Sequence, residues 1–322
     1  MEGYHGRQRT NFSNALKATV LIANRNTPDY ECNVIFFTNG DCCPCFFEQC
    51  AELERMKVWI EAIGFVDAYL QRLELLVEGH GFFFEQSELK AYLVMEYCSG
   101  GDLSKFIQKL KDKNETISEN MAWDIISQSS FAVYQLHQKN IIHADIKPSN
   151  VFLTKNGKVK LADLGLARKL LNLKTYATAN GITWRYLAPE LLLDQKSLDY
   201  GTSLNSLLKK LKVRLSSDIW ALGVSFFELL ALEHPFMKHG IKFEILSNLL
   251  PVINNEPKQI PDQFPESMRK LILKMLEKNP LQRITAQQIC EYPEVVYRLD
   301  KIKEEDIEEE EIKQIKQMNK IK

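Results

Sequence analysis

The clearest alternation of apolar and polar positions lies in the middle of the chain, from about residue 83 to residue 299. Residues 90–97 form an apolar, β-rich run that ends at Ser99-Gly100-Gly101-Asp102. Apolar residues then recur at helical spacing from Leu103 to Leu110, and Asp102 stands in the N-cap position. The pattern therefore predicts a strand, a turn and a helix.

A second helix is predicted over residues 118–138, with Ser118 as its cap, because Met121, Ile125 and Val133 belong to an apolar series spaced by three and four residues. Two short strands follow at 151–154 and 158–162, joined through Asn-Gly, which is the strongest short signal for a hairpin. Such a hairpin brings Asn150 and Asp163 to neighbouring strand ends.

The carboxyl-terminal half is predicted to be mainly helical. Helical patterns cover 218–232, 243–250, 266–277 and 285–290, and prolines separate them. The tail from 300 to 322 is rich in charged residues and is expected to form a solvent-exposed helix. Residues 1–82 lack a comparable pattern and are treated as a separate, divergent region.

The composition is that of an ordinary globular protein, with 45% apolar residues, 26% charged residues and a net charge of -1. This balance excludes a nucleic-acid binder driven by bulk positive charge. No apolar run reaches the roughly 18 residues that span a bilayer, and the charged start is unlike a secretory signal. A cytoplasmic protein without a membrane partner is expected, and no motif indicates an oligomeric state.

Five of the seven cysteines lie between Cys32 and Cys50. Cys42 and Cys45 have the C-x-x-C spacing of a zinc knuckle, but a second pair at matching spacing is missing. Free, reduced thiols are therefore favoured over a zinc or nucleic-acid module in this region.

The candidate chemistry is phosphoryl transfer, which needs metal ions, a positive group and an acceptor that orients the nucleophile. Within the segment 143–150, Asp145 would orient the substrate hydroxyl and Lys147 would neutralise charge on the transferred group. Asn150 and Asp163 carry the hard oxygen ligands that magnesium prefers over zinc.

Any one of these residues is common in a turn or a cap, so their joint order decides the interpretation. Further landmarks follow at Thr183, 186–190, 218–223 and 279–283, at the spacing seen in protein kinases. The chain thus resembles the protein kinases over about 83–299, and it resembles the NIMA-related serine/threonine branch most. The segments 93–103 and 150–153 carry that finer resemblance.

The resemblance implies an α+β, two-lobed fold with a small β-rich N-lobe, a hinge at about 95–99 and a larger helical C-lobe. It also implies that ATP and Mg²⁺ are bound and that protein serine or threonine hydroxyls are the acceptors, with Lys147 marking that specificity. At the adenine site it implies Met95 as gatekeeper, the Glu96 carbonyl and Cys98 amide as hydrogen-bonding groups, and Phe152 as floor. It further implies that Thr183 packs near Asp145, that Asp218 anchors the segment 143–150, and that Glu190 and Arg283 form a buried ion pair.

Two parts of the kinase pattern are missing: the Gly-rich turn over the phosphates and the strand lysine that grips them. The lysine is expected near 40–50, yet none lies between Lys17 and Lys57, and Glu61 stands about where its helix partner would be. Either the N-lobe is degenerate, as in a pseudokinase that acts as a scaffold, or residues 1–82 are partly mistranslated.

Ala144 stands where most such kinases carry an arginine that binds a phosphorylated activation loop. Alanine cannot pair with phosphate. Phosphorylation of Thr175 or Thr178 is therefore expected not to switch activity through residue 144, and ordinary solvation of both threonines is an equal alternative.

Overall fold

The computed structural model describes strands at 17–23 and 32–38 and the residues 75–77, 79–85, 90–170, 176–179, 183–193, 211–237 and 251–304. Several positions considered above lie outside this described part of the chain: Cys42, Cys45, Glu61, Thr175, the predicted helix at 243–250 and the tail beyond 304.

A four-stranded antiparallel sheet forms the amino-terminal part of the described structure. Its strands are β1 (Lys17–Ala23), β2 (Cys32–Thr38), β3 (Gly79–Glu85) and β4 (Lys90–Glu96), in the spatial order β1-β2-β4-β3. Strand β2 pairs with β4 along its whole length. The sequence analysis assigned no strand before residue 82, although the Val-Ile-Phe-Phe run of β2 has the composition that favours a pleated strand.

The carboxyl-terminal part is mainly helical, as the sequence predicted. It contains α1 (Leu103–Lys113), α2 (Glu119–Gln138), α3 (Pro189–Leu193), α4 (Leu215–Ala231), α5 (Glu266–Met275) and α6 (Ala286–Cys290). Helical segments also cover 251–254 and 293–304. Helix α4 runs through the core, where Trp220, Phe226 and Phe227 are completely buried. Among the described residues, no helix combines the length and the apolar character that crossing a membrane requires.

The predicted helix caps are confirmed. Asp102 Oδ1 accepts a hydrogen bond from the Lys105 amide at 2.9 Å, and Ser118 Oγ accepts one from the Met121 amide at 3.4 Å. Thr285 caps α6 in the same way, with the Gln288 amide 3.2 Å from its hydroxyl. These side chains satisfy amides that have no partner within the helix, and so they fix where each helix begins.

Short strands connect the helices around the candidate site. They are β5 (Gly101–Asp102), β6 (Ile141–Ile142), β7 (Val151–Leu153), β8 (Val159–Leu161), β9 (Arg168–Lys169), β10 (Ala177–Ala179) and β11 (Leu211–Val213). The predicted hairpin is present as β7 and β8, and β5 pairs with the outer side of β7. The backbone at 75–77 pairs with β8 through Leu161, whose amide donates to the Leu75 carbonyl at 2.7 Å.

Two consecutive glycines make the close approach of β5 to β7 possible. The Gly100 amide donates to the Leu153 carbonyl at 2.8 Å. A Cβ at residue 100 would lie only 2.6 Å from that carbonyl oxygen, and Gly101 has a φ of +75°. Both positions therefore require glycine, one for space and one for backbone conformation.

Candidate active site

The segment 143–150 is held in place by a buried carboxylate on α4. Asp218 is 1% exposed, and its two oxygens accept the amides of His143 at 2.8 Å and Ala144 at 2.9 Å. Its Oδ2 also contacts Nε2 of His137, at the end of α2, at 2.9 Å. These bonds stabilise a backbone in which Ala144 has a φ of 67°, a conformation that alanine rarely adopts.

Asp145 lies at the centre of a polar cluster and is 6% exposed. Its Oδ2 accepts hydrogen bonds from Lys147 Nζ at 2.6 Å and Asn150 Nδ2 at 3.1 Å. Its Oδ1 accepts one from Thr183 Oγ1 at 2.8 Å. Three donors from three positions thus fix the orientation of this carboxylate.

Lys147 and Thr183 also contact each other, with Nζ donating to Oγ1 at 3.0 Å. Thr183 lies 38 residues after Asp145 along the chain, just before the 3₁₀ turn Trp184–Tyr186. The cluster therefore joins the segment 143–150 to the end of the segment that begins at Asp163. The structure brings Lys147, Asn150 and Thr183 together around Asp145.

The hairpin positions Asn150 and Asp163 next to each other. Residue 150 precedes β7, and its carbonyl accepts the Ala162 amide at 2.9 Å, directly before Asp163. Asn150 uses its side-chain nitrogen for the Asp145 backbone carbonyl at 2.8 Å, so its side-chain oxygen is available as a ligand. Asp163 is exposed, and one of its oxygens accepts the Gly165 amide at 3.2 Å. These hard oxygen donors fit a magnesium ion.

The end of β4 and the turn that follows it contain three of the four residues predicted to line a nucleotide site: Met95, Glu96 and Cys98. The Glu96 carboxylate lies 3.0 Å from Lys160 Nζ on β8, a contact that the sequence did not indicate. Cys98 is buried, and its carbonyl accepts the Gly101 amide at 3.0 Å, which closes the turn into β5. Burial and the neighbouring Glu96 charge raise the pKa of the Cys98 thiol to about 11. Met95 lies on β4, and Phe152 lies half-buried on β7.

Residues 40–50, where the strand lysine was expected, lie outside the described part of the chain. Strand β2 lies beside β4 and spans Cys32–Thr38, a stretch that contains no lysine. Gly79 and Gly81 belong to strand β3, on the other side of β4, where the pairing shifts register between them.

A buried ion pair anchors helix α3. Both oxygens of Glu190 accept hydrogen bonds from Arg283, each at 2.8 Å, and the Arg283 side chain has no exposed surface. Arg283 also donates to the carbonyls of Glu277 at 2.7 Å and Ser216 at 2.8 Å. The pairing that the sequence predicted thus connects α3 to the start of α4.

Two further contacts near α3 were not predicted. Tyr186 donates its hydroxyl hydrogen bond to Glu228 on α4 at 2.9 Å, and burial raises the pKa of this tyrosine. His234 contacts the Arg185 carbonyl through Nε2 at 2.9 Å, while its Nδ1 accepts the amides of Phe236 and Met237. Burial lowers the pKa of His234 to about 4. No local motif marks these residues, because their partners are distant along the chain.

Residues 70–294 match the family model described as "Protein kinase domain". The chain is 34% identical over 201 residues to the serine/threonine-protein kinase Nek3 of Mus musculus, covering 62% of this chain and 35% of that protein. It is 30% identical over 235 residues to the probable serine/threonine-protein kinase nek2 of Dictyostelium discoideum, covering 71% of this chain and 51% of that protein.

A third relative is the human serine/threonine-protein kinase Nek11, 31% identical over 218 residues, with 68% of this chain and 30% of that protein covered. The matched part of the chain therefore spans between about a third and a half of the length of these three relatives. The matched residues include every described side chain of the site, from Glu96 to Arg283.

Proposed function

We propose that this chain, which belongs to the protein kinase family, transfers the γ-phosphoryl group of ATP to serine or threonine hydroxyls of protein substrates. The observation that carries the proposal is the cluster around Asp145, in which a buried carboxylate is oriented by Lys147, Asn150 and Thr183. The names of the relatives, all serine/threonine kinases, support the same activity.

In this mechanism Asp145 orients the acceptor hydroxyl and accepts its proton. A carboxylate held by several donors does not need to reorient when the substrate arrives, because folding has already fixed its orientation. The burial of Asp145 strengthens its hydrogen bonds, because little water competes for its oxygens. Lys147 Nζ lies 2.6 Å from the same carboxylate and places a positive charge beside the position of the acceptor oxygen.

Asn150 and Asp163 would hold magnesium, since their free side-chain oxygens lie at the ends of adjacent strands. Magnesium, when bound with ATP, neutralises the phosphate oxygens during transfer. Asn150 contacts both the Asp145 side chain and its backbone carbonyl, so one residue links the metal position to the base. The Glu96 carbonyl and the Cys98 amide are proposed to bind adenine, with Met95 and Phe152 on either side.

The decisive experiment compares the purified protein with an Asp145→Asn variant, using Mg²⁺, labelled ATP and a generic basic protein as acceptor. Loss of the general base is expected to reduce phosphate incorporation by at least about a hundredfold. Asp112→Asn is the matched control, because Asp112 is an exposed carboxylate on α1 and contacts only Gln108, four residues earlier. Its incorporation rate should equal that of the original protein.

Equal incorporation by the original protein and Asp145→Asn would overturn the proposal. Such a result would favour a scaffold with a kinase fold, consistent with a β2 strand that lacks lysine. Phosphoamino-acid analysis of the labelled acceptor provides the second readout, and phosphotyrosine as the main product would contradict the proposed serine or threonine specificity.

A further inference from the structure

The segment that ends at Glu190 carries an arginine directly beside the cluster around Asp145. Arg185 lies in the 3₁₀ turn Trp184–Tyr186, and Thr183, two residues before it, donates its hydroxyl hydrogen to Asp145 Oδ1 at 2.8 Å. Two residues of chain span at most about 7 Å. The side chain of Arg185 therefore begins close to the carboxylate that is proposed to orient the acceptor hydroxyl.

Both the backbone and the side chain of Arg185 are held by residues outside this segment. The Arg185 carbonyl accepts a hydrogen bond from His234 Nε2 at 2.9 Å. This nitrogen carries the hydrogen, because the other ring nitrogen accepts the amides of Phe236 and Met237. Arg185 Nη2 donates to Oε1 of Glu228 on α4 at 3.1 Å. The position of the guanidinium is thus fixed before a substrate binds, which lowers the entropy cost of a contact with it.

Arg185 is placed differently from Arg283, the buried arginine that pairs with Glu190. The Arg283 side chain has no exposed surface, and its nitrogens donate to Glu190 and to backbone carbonyls. The Arg185 side chain is 44% exposed, whereas that of its partner Glu228 is only 12% exposed. Within the described part of the chain, Glu228 is the one group to which this guanidinium donates, although a guanidinium has five N–H donors. Arg185 therefore presents further donors to solvent, and a substrate meets this cation before it meets Glu228.

We propose that Arg185 determines substrate specificity by binding the carboxylate of an aspartate or glutamate one or two positions from the acceptor residue. This inference rests on the function proposed above. An extended peptide advances about 3.3 Å per residue. One or two substrate residues therefore cover the distance between an acceptor at Asp145 and position 185. A guanidinium binds a carboxylate through two parallel hydrogen bonds, which gives the contact a defined geometry.

The contacts of Glu228 oppose the reverse specificity, in which this carboxylate would bind a basic side chain of the substrate. The Tyr186 hydroxyl donates to Glu228 Oε2 at 2.9 Å, and Arg185 donates to the other oxygen, so both oxygens already have a partner. A basic substrate side chain would have to displace Arg185, whose exposed positive charge repels it. The pair therefore favours acidic over basic side chains next to the acceptor.

The test measures kcat/KM of the full chain for a set of serine peptides. Each peptide carries glutamate, glutamine or lysine at one position, from two residues before the acceptor to two residues after it. At low salt the original protein should prefer glutamate to glutamine roughly fivefold at one position, the upper range for a partly exposed ion pair. High salt should reduce this ratio. Arg185→Gln should bring the ratio to about one, because glutamine has no charge to offer the carboxylate.

Two further variants separate the charge of Arg185 from other effects of the substitution. Arg185→Lys retains the positive charge but not the parallel hydrogen bonds, and it should retain part of the preference for glutamate. Arg298→Gln is the matched control, because Arg298 is likewise paired with a carboxylate, that of Asp124 on α2. This control should show the same ratio as the original protein.

A binding measurement makes the result independent of turnover. Fluorescence polarisation gives the Kd of the same peptides with alanine in place of the acceptor serine, and the same ratios are expected. A preference of the original protein for lysine, or a preference for glutamate that Arg185→Gln retains, would overturn the inference. Asp145-dependent phosphorylation without any preference for glutamate would overturn it too, but would leave the proposed function standing. If no peptide were phosphorylated, the proposed function would fail, and the Kd ratios would still decide the role of Arg185.

Discussion

The two ends of the segment between Asp163 and Glu190 are held in different ways. At its start, Asp163 is exposed, has a φ of 62°, and accepts a hydrogen bond from the amide of Gly165, two residues later, at 3.2 Å. At its end, Thr183 bonds to Asp145 at 2.8 Å, and Glu190 bonds to Arg283 through both oxygens. The start is fixed locally, whereas the end is fixed by residues distant in sequence.

The difference indicates which half of the site is complete before any ligand binds. Asp145 and the contacts around it are positioned by the fold, so the geometry of the acceptor side in the proposed reaction is set in advance. The Asp163 side has few contacts among the described residues, and under the proposed function it would gain its final geometry from the metal ion. If the end of the segment is anchored more strongly than its start, substitutions at the end should lower the free energy of unfolding more.

The largest loss of stability is expected when the buried ion pair between Glu190 and Arg283, which holds the end of the segment, is broken. Arg283→Met leaves Glu190 without its partner, and the free energy of unfolding should fall by about 3–5 kcal/mol. Denaturation in urea measures this loss. Arg298→Met is the control, because Arg298 contacts Asp124 at a more exposed position and should cost less than about 1 kcal/mol. Equal losses in both variants would show that the Glu190–Arg283 pair stabilises the fold no more than the more exposed Asp124–Arg298 pair does.

A second loss of stability is expected when the pH falls, because of His234, which contacts the Arg185 carbonyl. Burial lowers its pKa from 6.5 to about 4, so below the unfolded pKa the unfolded chain binds a proton that the folded chain does not. The stability contributed by neutral His234 is therefore present above about pH 6.5 and is lost as the pH falls toward about 4, at up to about 1.4 kcal/mol per pH unit.

The measurement is denaturant unfolding at two pH values. Between about pH 7 and about pH 5, the original protein should lose about 2 kcal/mol more stability than His234→Asn. Asparagine retains an oxygen in place of Nδ1, which can accept the amides of Phe236 and Met237, but it does not titrate. Parallel pH profiles for the two proteins would contradict this role for His234.

A smaller effect is expected at Thr183, within the cluster itself. Thr183→Val removes the hydroxyl that contacts Asp145 and Lys147, and it should reduce stability by about 1 kcal/mol and kcat by about tenfold. Thr183→Ser retains the hydroxyl and should recover most of kcat, as measured by the incorporation assay. If Ser and Val reduced kcat equally, the hydroxyl would not be the group that matters.

The smallest effect on stability is expected at the start of the segment. Asp163→Asn retains a side-chain oxygen for the Gly165 amide, and the free energy of unfolding without ligand should change by less than about 0.5 kcal/mol. Stabilisation of the protein by added Mg²⁺ and ATP, seen as a rise in Tm for the original chain, should be weakened in the variant. A large loss of stability without ligand would show that Asp163 is already fixed by the fold.

Features set by local sequence could be predicted well. The caps at Asp102 and Ser118 and the Asn-Gly hairpin follow from preferences of a few adjacent residues, and the structure contains all three. Helix α4 begins three residues earlier than the predicted start at Asp218, because leucine and two serines continue the helix upstream. Boundaries of this kind depend on contacts as well as on pattern.

Features that depend on distant partners were missed. Nothing local marks Lys160 as the partner of Glu96, or His234 as the partner of a carbonyl 49 residues away. Strands β1 and β2 were not predicted either, because a strand of mixed composition is defined by its pairing in the sheet as much as by its own residues. The candidate site at Asp145, Lys147, Asn150 and Asp163 could be predicted because the proposed chemistry requires these residue types in this order.

The thiol at Cys98 has a consequence for chemical targeting of this protein. With a pKa of about 11, only about one Cys98 side chain in ten thousand is a thiolate at neutral pH, and burial shields it further. Alkylating reagents and mild oxidants react with thiolates, so this cysteine should be inert to both, although it lies in the turn between β4 and β5. Compounds that bind at the adenine site proposed for this turn would therefore have to rely on reversible contacts with Cys98.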